Sequence, residues 1–424
     1  MLEFDAVAAT QAYLDSVPAE LRARSDAYFE GGYWLQVADF AIGLAVNLAI
    51  LALGLSRRMR DAVERLARRR PAQDFAYWTM YVVVATVPTL PFMAYRDFVR
   101  EHDYGLSNLT FGAWLGELGK GFGVSLIIGG LAVAALYAVV RRLPRAWPLW
   151  GSVTFIGIFM LIALIAPVFI APLFNEYKRL DDAVVSRSIL SMARAQGVTV
   201  DDVWMFDASR QSKRISANVS GLGHTLRISL NDNLIHRSSM AEIETVMGHE
   251  IGHYVLNHVY KTILFMGVLI VLGFALLKWG ADRVLSARGA AWGVRDAGDV
   301  AGLPIAMIIL SIYFFVMTPV INSHVRSQEA EADLFGINAS GQPDGEAIVD
   351  LKLGEYRKLD PGPIEEALFF DHPGGRSRIL MAMRWKAEHL QEAAANARRA
   401  AEADRERGWS PQYAEKWTEE RTPR

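Results

Sequence analysis

Ser239-Met-Ala-Glu-Ile-Glu-Thr-Val-Met-Gly-His249-Glu250-Ile-Gly-His253-Tyr-Val-Leu-Asn-His258 is the stretch on which the reading of the chain turns. Ser239 stands at an N-cap position and Glu242 follows three residues later, the pattern of a capping box, so the segment reads as a helix. On a helix His249 and His253, four apart, project from one face and can share a metal. Glu250 follows the first of them and can reach water at the metal without being a ligand itself. That is the layout of a zinc-dependent hydrolase, in which the metal activates water and the Glu takes its proton.

Composition narrows the metal chemistry. The 424 residues include nine His and no Cys, so any metal must be held by imidazole and carboxylate, and disulfides are excluded. A formal net charge of -2 gives no reason to expect a nucleic-acid partner. Hydrophobic residues make up 52% of the chain and gather in blocks. Six runs of spanning character lie near Trp34–Leu55, Phe75–Tyr95, Phe122–Val140, Leu149–Ile170, Thr262–Leu277 and Leu303–Val320. Most are flanked by Arg or Trp, which marks a multi-pass protein of the lipid bilayer. Pro88 and Pro91 predict a kink in the second. Residues 1–33 show no basic n-region or small-residue cleavage site.

The expected organisation is mainly α. A four-span membrane domain occupies 1–171, with a polar loop at 96–120. A first catalytic half covers 172–260, with strands at Val203–Phe206 and Leu226–Leu230 and a turn at Gly221 and Gly223 between them. Its helix runs without a Gly or Pro break after Gly252 into a two-span hairpin, 261–320. A second catalytic half follows at 321–391. The charged tail, 392–424, reads as a frayed helix giving way to disorder.

Zinc needs a third protein ligand. His258 fails, because five residues after His253 it turns away from the ligand face; it reads as an interfacial residue. A metzincin would need Gly at 256 and His at 259, where Leu256 and Val259 stand. The better source is Arg326-Ser-Gln-Glu329-Ala-Glu331-Ala-Asp333 after the sixth span. The hairpin returns this segment to the membrane face from which the HExxH helix enters. His253 and Glu329 each lie about 15 Å from that boundary, at similar height. Glu329 then completes the metal site while Asp333, four residues on, accepts from a ligand His; Glu331 points away.

The chain resembles the integral-membrane CaaX prenyl endopeptidases of type I, within the gluzincin-like His-Glu-His zinc metallopeptidases. The likeness runs from about Val17 to about Leu390. It rests on Ala171-Pro-Leu-Phe-Asn175, Ser212-Lys-Arg with Ala217-Asn218, His249-Glu-Ile-Gly-His253, Arg326 to Asp333, and His372-Pro with Arg378-Ile. The resemblance implies one Zn2+ per chain on His249, His253 and Glu329, with Glu250 as general base and Asp333 as proton donor or support. It places Asn218, His372 and Arg378 near substrate and the developing oxyanion. It also implies a peptide or protein substrate, prenylated or membrane-associated, bound as a strand added to a sheet edge such as Leu226–Leu230. Two departures stand out: six spans where eukaryotic members have seven, and Ala330 where an aromatic usually follows the ligand Glu.

Loops 56–74, 141–147 and 278–301 carry seven, three and four Lys or Arg, against two in the N-terminal segment and three in 96–120. The positive-inside rule then puts the catalytic halves on the non-cytoplasmic side. The competing reading is a non-enzymatic transporter or channel with a structural His/Glu cluster, for which Asp39 and Asn47 are the intramembrane polar residues to examine.

Overall fold

A computed structural model describes residues 4–221 and 226–420; the expected turn residue Gly223 lies outside them. Among the described residues, six helices are long and apolar enough to cross a membrane: Ala19–Ala52, Arg70–Asp103, Phe111–Arg142, Trp147–Phe174, His258–Trp292 and Val300–Ser340. Each extends well past its apolar run. The region expected as a long polar loop is therefore mostly helix, and only 104–110 connects the second and third spans. Thr110 caps the third, its hydroxyl accepting from Ala113 N. The prolines of the second span are absorbed by a 3-10 turn at Val87–Thr89, and a π turn follows at Tyr95–Val99.

The N-terminal segment, the 104–110 loop and both catalytic halves share one end of the bundle. The arginine-rich loops share the other, where Arg60 bonds Asp299 at 2.6 Å and Arg295 bonds Glu64 at 2.7 Å. The mid-span polar residues are satisfied locally. Asp39 pairs with Arg96 at 3.0 Å, and Asn47 accepts from the Tyr81 hydroxyl at 2.7 Å.

Outside the bundle, four strands form a sheet in the order β1 (Tyr177–Arg179), β2 (Val203–Phe206), β4 (Arg227–Asn231), β3 (Ala217–Ser220). β4 runs parallel to β2 and antiparallel to β3. The strand expected to offer a free edge, 226–230, is thus paired on both sides. The edge strands are β1 and β3, and β3 is the one that touches the HExxH helix. Ile228 and Leu230 of β4 pack with Val185, Ile189, Ile243, Met247 and Ile251 into one buried core, which fixes the sheet against the HExxH helix, Met240–Val255. The predicted capping box is present: Glu242 Oε2 accepts from Ser239 N at 2.8 Å.

That helix does not continue into the fifth span. It ends at Val255, and Asn257 adopts the left-handed region (φ 59°) before a new helix begins at His258. Asn is among the few non-glycine residues that tolerate this conformation, so the break carries no Gly or Pro signal. The tail also departs from expectation. Leu390–Glu406 is a helix that buries Ala393 and Ala400, and Asp404 accepts from Met240 N at 2.8 Å, tying the tail to the start of the HExxH helix. Pro411–Glu420 is helical too.

The HExxH helix crosses the sixth-span helix at two glycines. A Cβ on Gly248 would meet Gly336 O at 2.9 Å, and one on Gly336 would meet His249 N at 2.8 Å. The backbones touch there, which sets the distance between the two halves of the site. Gly336→Val is expected to force the helices apart at a cost of about 1–3 kcal/mol. Thermal unfolding and metal content of the purified variant check this, both falling relative to wild type.

Candidate metal centre

The close crossing brings His249, His253 and Glu329 together, each offering a donor atom within 4.8 Å of the others. His249 Nε2 and His253 Nε2 are 3.0 Å apart. Glu329 Oε2 lies 3.2 Å from the first and Oε1 3.5 Å from the second. Glu329 Oε2 is buried and has no aligned hydrogen-bond donor, although the His249 and His372 nitrogens lie 3.2 and 3.1 Å away. A buried, unsatisfied carboxylate oxygen facing two imidazoles is what a cation site requires.

The ring tautomers, assigned from the hydrogen-bond network, point the same way. His249 Nδ1 donates to Asp333 Oδ1 at 2.8 Å, leaving its Nε2 lone pair free. His253 Nδ1 lies 2.8 Å from His258 Nδ1, and His258 Nε2 lies 3.1 Å from Glu331 Oε2, which also takes Lys261 Nζ at 2.6 Å. His258 must give its Nε2–H to that carboxylate, so its Nδ1 accepts from His253. Both ligand Nε2 atoms are then lone pairs aimed at one point beside a carboxylate. The donor set fits zinc.

His258 is therefore no interfacial bystander. It is 2% exposed and holds the His253 ring, and Glu331 completes the relay instead of pointing away. The expectation of an unbroken helix hid this, because the turn at Asn257 swings His258 back toward His253. The only signal in the chain was the unusual richness of His at 249, 253 and 258.

Electrostatics match the geometry. Burial opposes a charge on His249, but the Asp333 and Glu329 carboxylates outweigh it and raise its pKa to about 10, so a metal binding at Nε2 would displace a proton from it. The pocket is built to hold positive charge. Burial pushes the Glu250 carboxyl above its usual range, against the pull of His249 and His253. His372 is raised despite its burial, through Asp371 (2.8 Å) and Glu329.

Arg378 takes a different place from the one expected. Its Nε and Nη2 grip Asp333 at 2.8 and 2.7 Å, Nη1 meets Asp350 at 2.6 Å, and Glu346 lies 3.3 Å away. With its fork turned to carboxylates, it clamps the residue that holds His249. Burial pushes Glu346 up to about 7 and Asp350 above the carboxylate range, which limits the negative charge gathered there. His249, Glu250, His372 and Arg378 line one cavity of about 170 Å3 with Ile215, Ser216 and Ala217. Asn218, half-buried on β3, follows Ala217 in the strand but is not among the residues that line the cavity.

Residues 7–176 match the family described as CAAX prenyl protease N-terminal, five membrane helices, and residues 179–386 match peptidase family M48. The chain is 31% identical over 325 residues to CAAX prenyl protease 1 of Saccharomyces cerevisiae, covering 73% of this chain and 71% of that protein. The chain belongs to peptidase family M48. It is also 26% identical over 349 residues to the uncharacterized metalloprotease YhfN of Bacillus subtilis (81% and 82% covered). The crystal structure of S. mikatae Ste24p shares the fold, with a TM-score of 0.75 at 22% identity over 87% of this chain and 90% of that one. This M48 member is a multi-pass membrane metalloendopeptidase, and the family implies zinc. Where the N-terminal family is described with five membrane helices, residues 7–176 here supply four.

Replacing His258 by Ala is expected to leave His253 without its orienting acceptor and to weaken zinc binding about 10–100-fold. Competition with a metallochromic chelator measures the change.

Proposed function

We propose that this M48 protein is a zinc endopeptidase of CAAX-type protein processing, with one zinc on His249, His253 and Glu329 and with Glu250 as general base. One observation carries the reading: His249 of the three-donor cluster and the Glu250 carboxyl line one cavity, beside the edge strand β3. A peptide added along β3 gains main-chain hydrogen bonds and lays its backbone across the site. The relatives named CAAX prenyl protease 1 support a prenylated or membrane-associated substrate.

A bound zinc ion supplies Lewis acidity toward a carbonyl oxygen and makes a nearby water acidic. Glu250, its pKa raised by burial, is suited to take a proton from the attacking water and return it to the leaving amine. His372 stands against Glu329 with its Nδ1 held by Asp371, in position to donate toward the developing oxyanion from Nε2. Asp333 fixes the His249 ring, and Arg378 fixes Asp333. Asn218 offers an amide from the strand wall. The Lys/Arg bias of the loops opposite the site supports a non-cytoplasmic catalytic face.

Glu250→Gln tests the mechanism. The variant is expected to keep stoichiometric zinc and to lose about 10²–10⁴-fold in kcat on a farnesylated peptide; metal analysis beside a cleavage assay reads both.

A further inference from the structure

At the end of the bundle opposite the metal centre, the third to sixth spans border an apolar cavity of about 140 Å3. Its walls include Val140 of the third span, Trp147 of the fourth, Phe274 and Leu277 of the fifth, and Ile305 and Leu310 of the sixth. A space of that size with aliphatic and aromatic walls stays dry and takes up hydrocarbon. The hydrocarbon that surrounds spanning helices is the acyl chain of a lipid. Among the described residues Asp296 is the one carboxylate on the wall. Its Oδ1 accepts from Gly298 N at 2.7 Å, and the Arg141 side chain lies against the same glycine.

The rim of this groove is cationic. Loops 56–74, 141–147 and 278–301 hold fourteen Lys or Arg against six Asp or Glu. Apart from Asp296, each of those carboxylates is paired: Asp61 and Asp299 with Arg60, Glu64 with Arg295, Asp74 with Arg141, and Asp282 with Lys278. Three arginines that flank wall residues are not. Arg142 follows Val140 by two residues, and Arg145 precedes Trp147 by two. Arg288 continues the row of wall residues Leu277, Ala281 and Leu285 along one face of the fifth span. All three are exposed, and among the described residues none makes an ion pair or a hydrogen bond through its side chain.

Unpaired guanidinium groups around the mouth of a dry groove match the two parts of a phospholipid. The phosphate takes a fork of N–H donors, and a chain fills the apolar space. Basic pockets between spanning helices are where anionic head groups bind, and the surplus of cations here calls for a head group with net negative charge. We infer that this groove holds one acyl chain of an anionic phospholipid whose head group is bound by Arg142, Arg145 and Arg288. The fifth and sixth spans, two of the groove's walls, join the two halves of the metal site, so the bound lipid stiffens the hairpin between them. The inference stands independently of the peptidase reading.

The experiment adds dioleoyl phosphatidylglycerol or dioleoyl phosphatidylcholine to the full-length, zinc-loaded protein in detergent. Thermal unfolding and native mass spectrometry are the readouts. Phosphatidylglycerol is expected to raise the midpoint saturably by at least about 2 °C, with one tightly held lipid per chain, and phosphatidylcholine to do much less. The triple variant Arg142→Gln, Arg145→Gln, Arg288→Gln should lose that preference while unfolding like wild type in phosphatidylcholine. Ala306→Leu, which fills the groove from its wall, should abolish the response with the arginines intact. Equal shifts from the two lipids overturn the inference, and so does a wild-type response in the triple variant. A full response in Ala306→Leu, or from glycerol phosphate alone, marks adsorption to the basic surface and overturns the groove. Displacement of the lipid by a farnesylated peptide assigns the groove to substrate and overturns the lipid. Should Ala306→Leu fail to fold, the triple variant and glycerol phosphate still decide.

Discussion

Backbone contact between Gly248 and Gly336 is the constraint on which the rest of the site depends. Helices with ordinary side chains at a crossing sit about 8–10 Å apart, and here neither position has room for a Cβ. That closeness lets imidazoles from one helix and a carboxylate from the other converge on one point. The two halves are 76 residues apart at His253 and Glu329 (329 − 253) and are joined by two membrane spans. The hairpin returns the chain to the same face, the glycines set the approach, and the buried core under the sheet holds the HExxH helix from behind.

The charges around the centre form two layers. Nearest the metal position lie the ligand atoms and Glu250. Behind them each histidine is held by its own chain of partners: His249 through Asp333 to Arg378, and His253 through His258 to Glu331 and Lys261. Both chains end in a cation, which offsets the carboxylate that polarises the ring. Buried charges in such a network are costly to break singly, about 3–5 kcal/mol when one partner is lost. This makes the outer layer part of the structure as well as of the chemistry.

Much of this was legible in the chain itself. The HExxH helix followed from its capping box and from the i, i+4 spacing, and the six spans followed from apolar runs. Glu329 and Asp333 followed from the geometry of a hairpin. What escaped were features that depend on where a helix stops. Asn257 breaks the helix in a conformation no breaker residue announces, and so His258 and Glu331 were assigned to the wrong faces. The free sheet edge was placed on 226–230 because strand order is a long-range property that alternation does not reveal. The tail looked too polar to fold, yet a narrow stripe of small residues, Ala393 and Ala400, suffices to dock it.

X-ray absorption at the zinc edge of the purified, full-length protein tests the central claim most directly. The account predicts a first shell of two imidazole nitrogens and carboxylate oxygen with no sulfur, and loss of the bound zinc in Glu329→Ala. A protein without stoichiometric zinc, or a Glu329→Ala variant with an unchanged zinc spectrum, would contradict it.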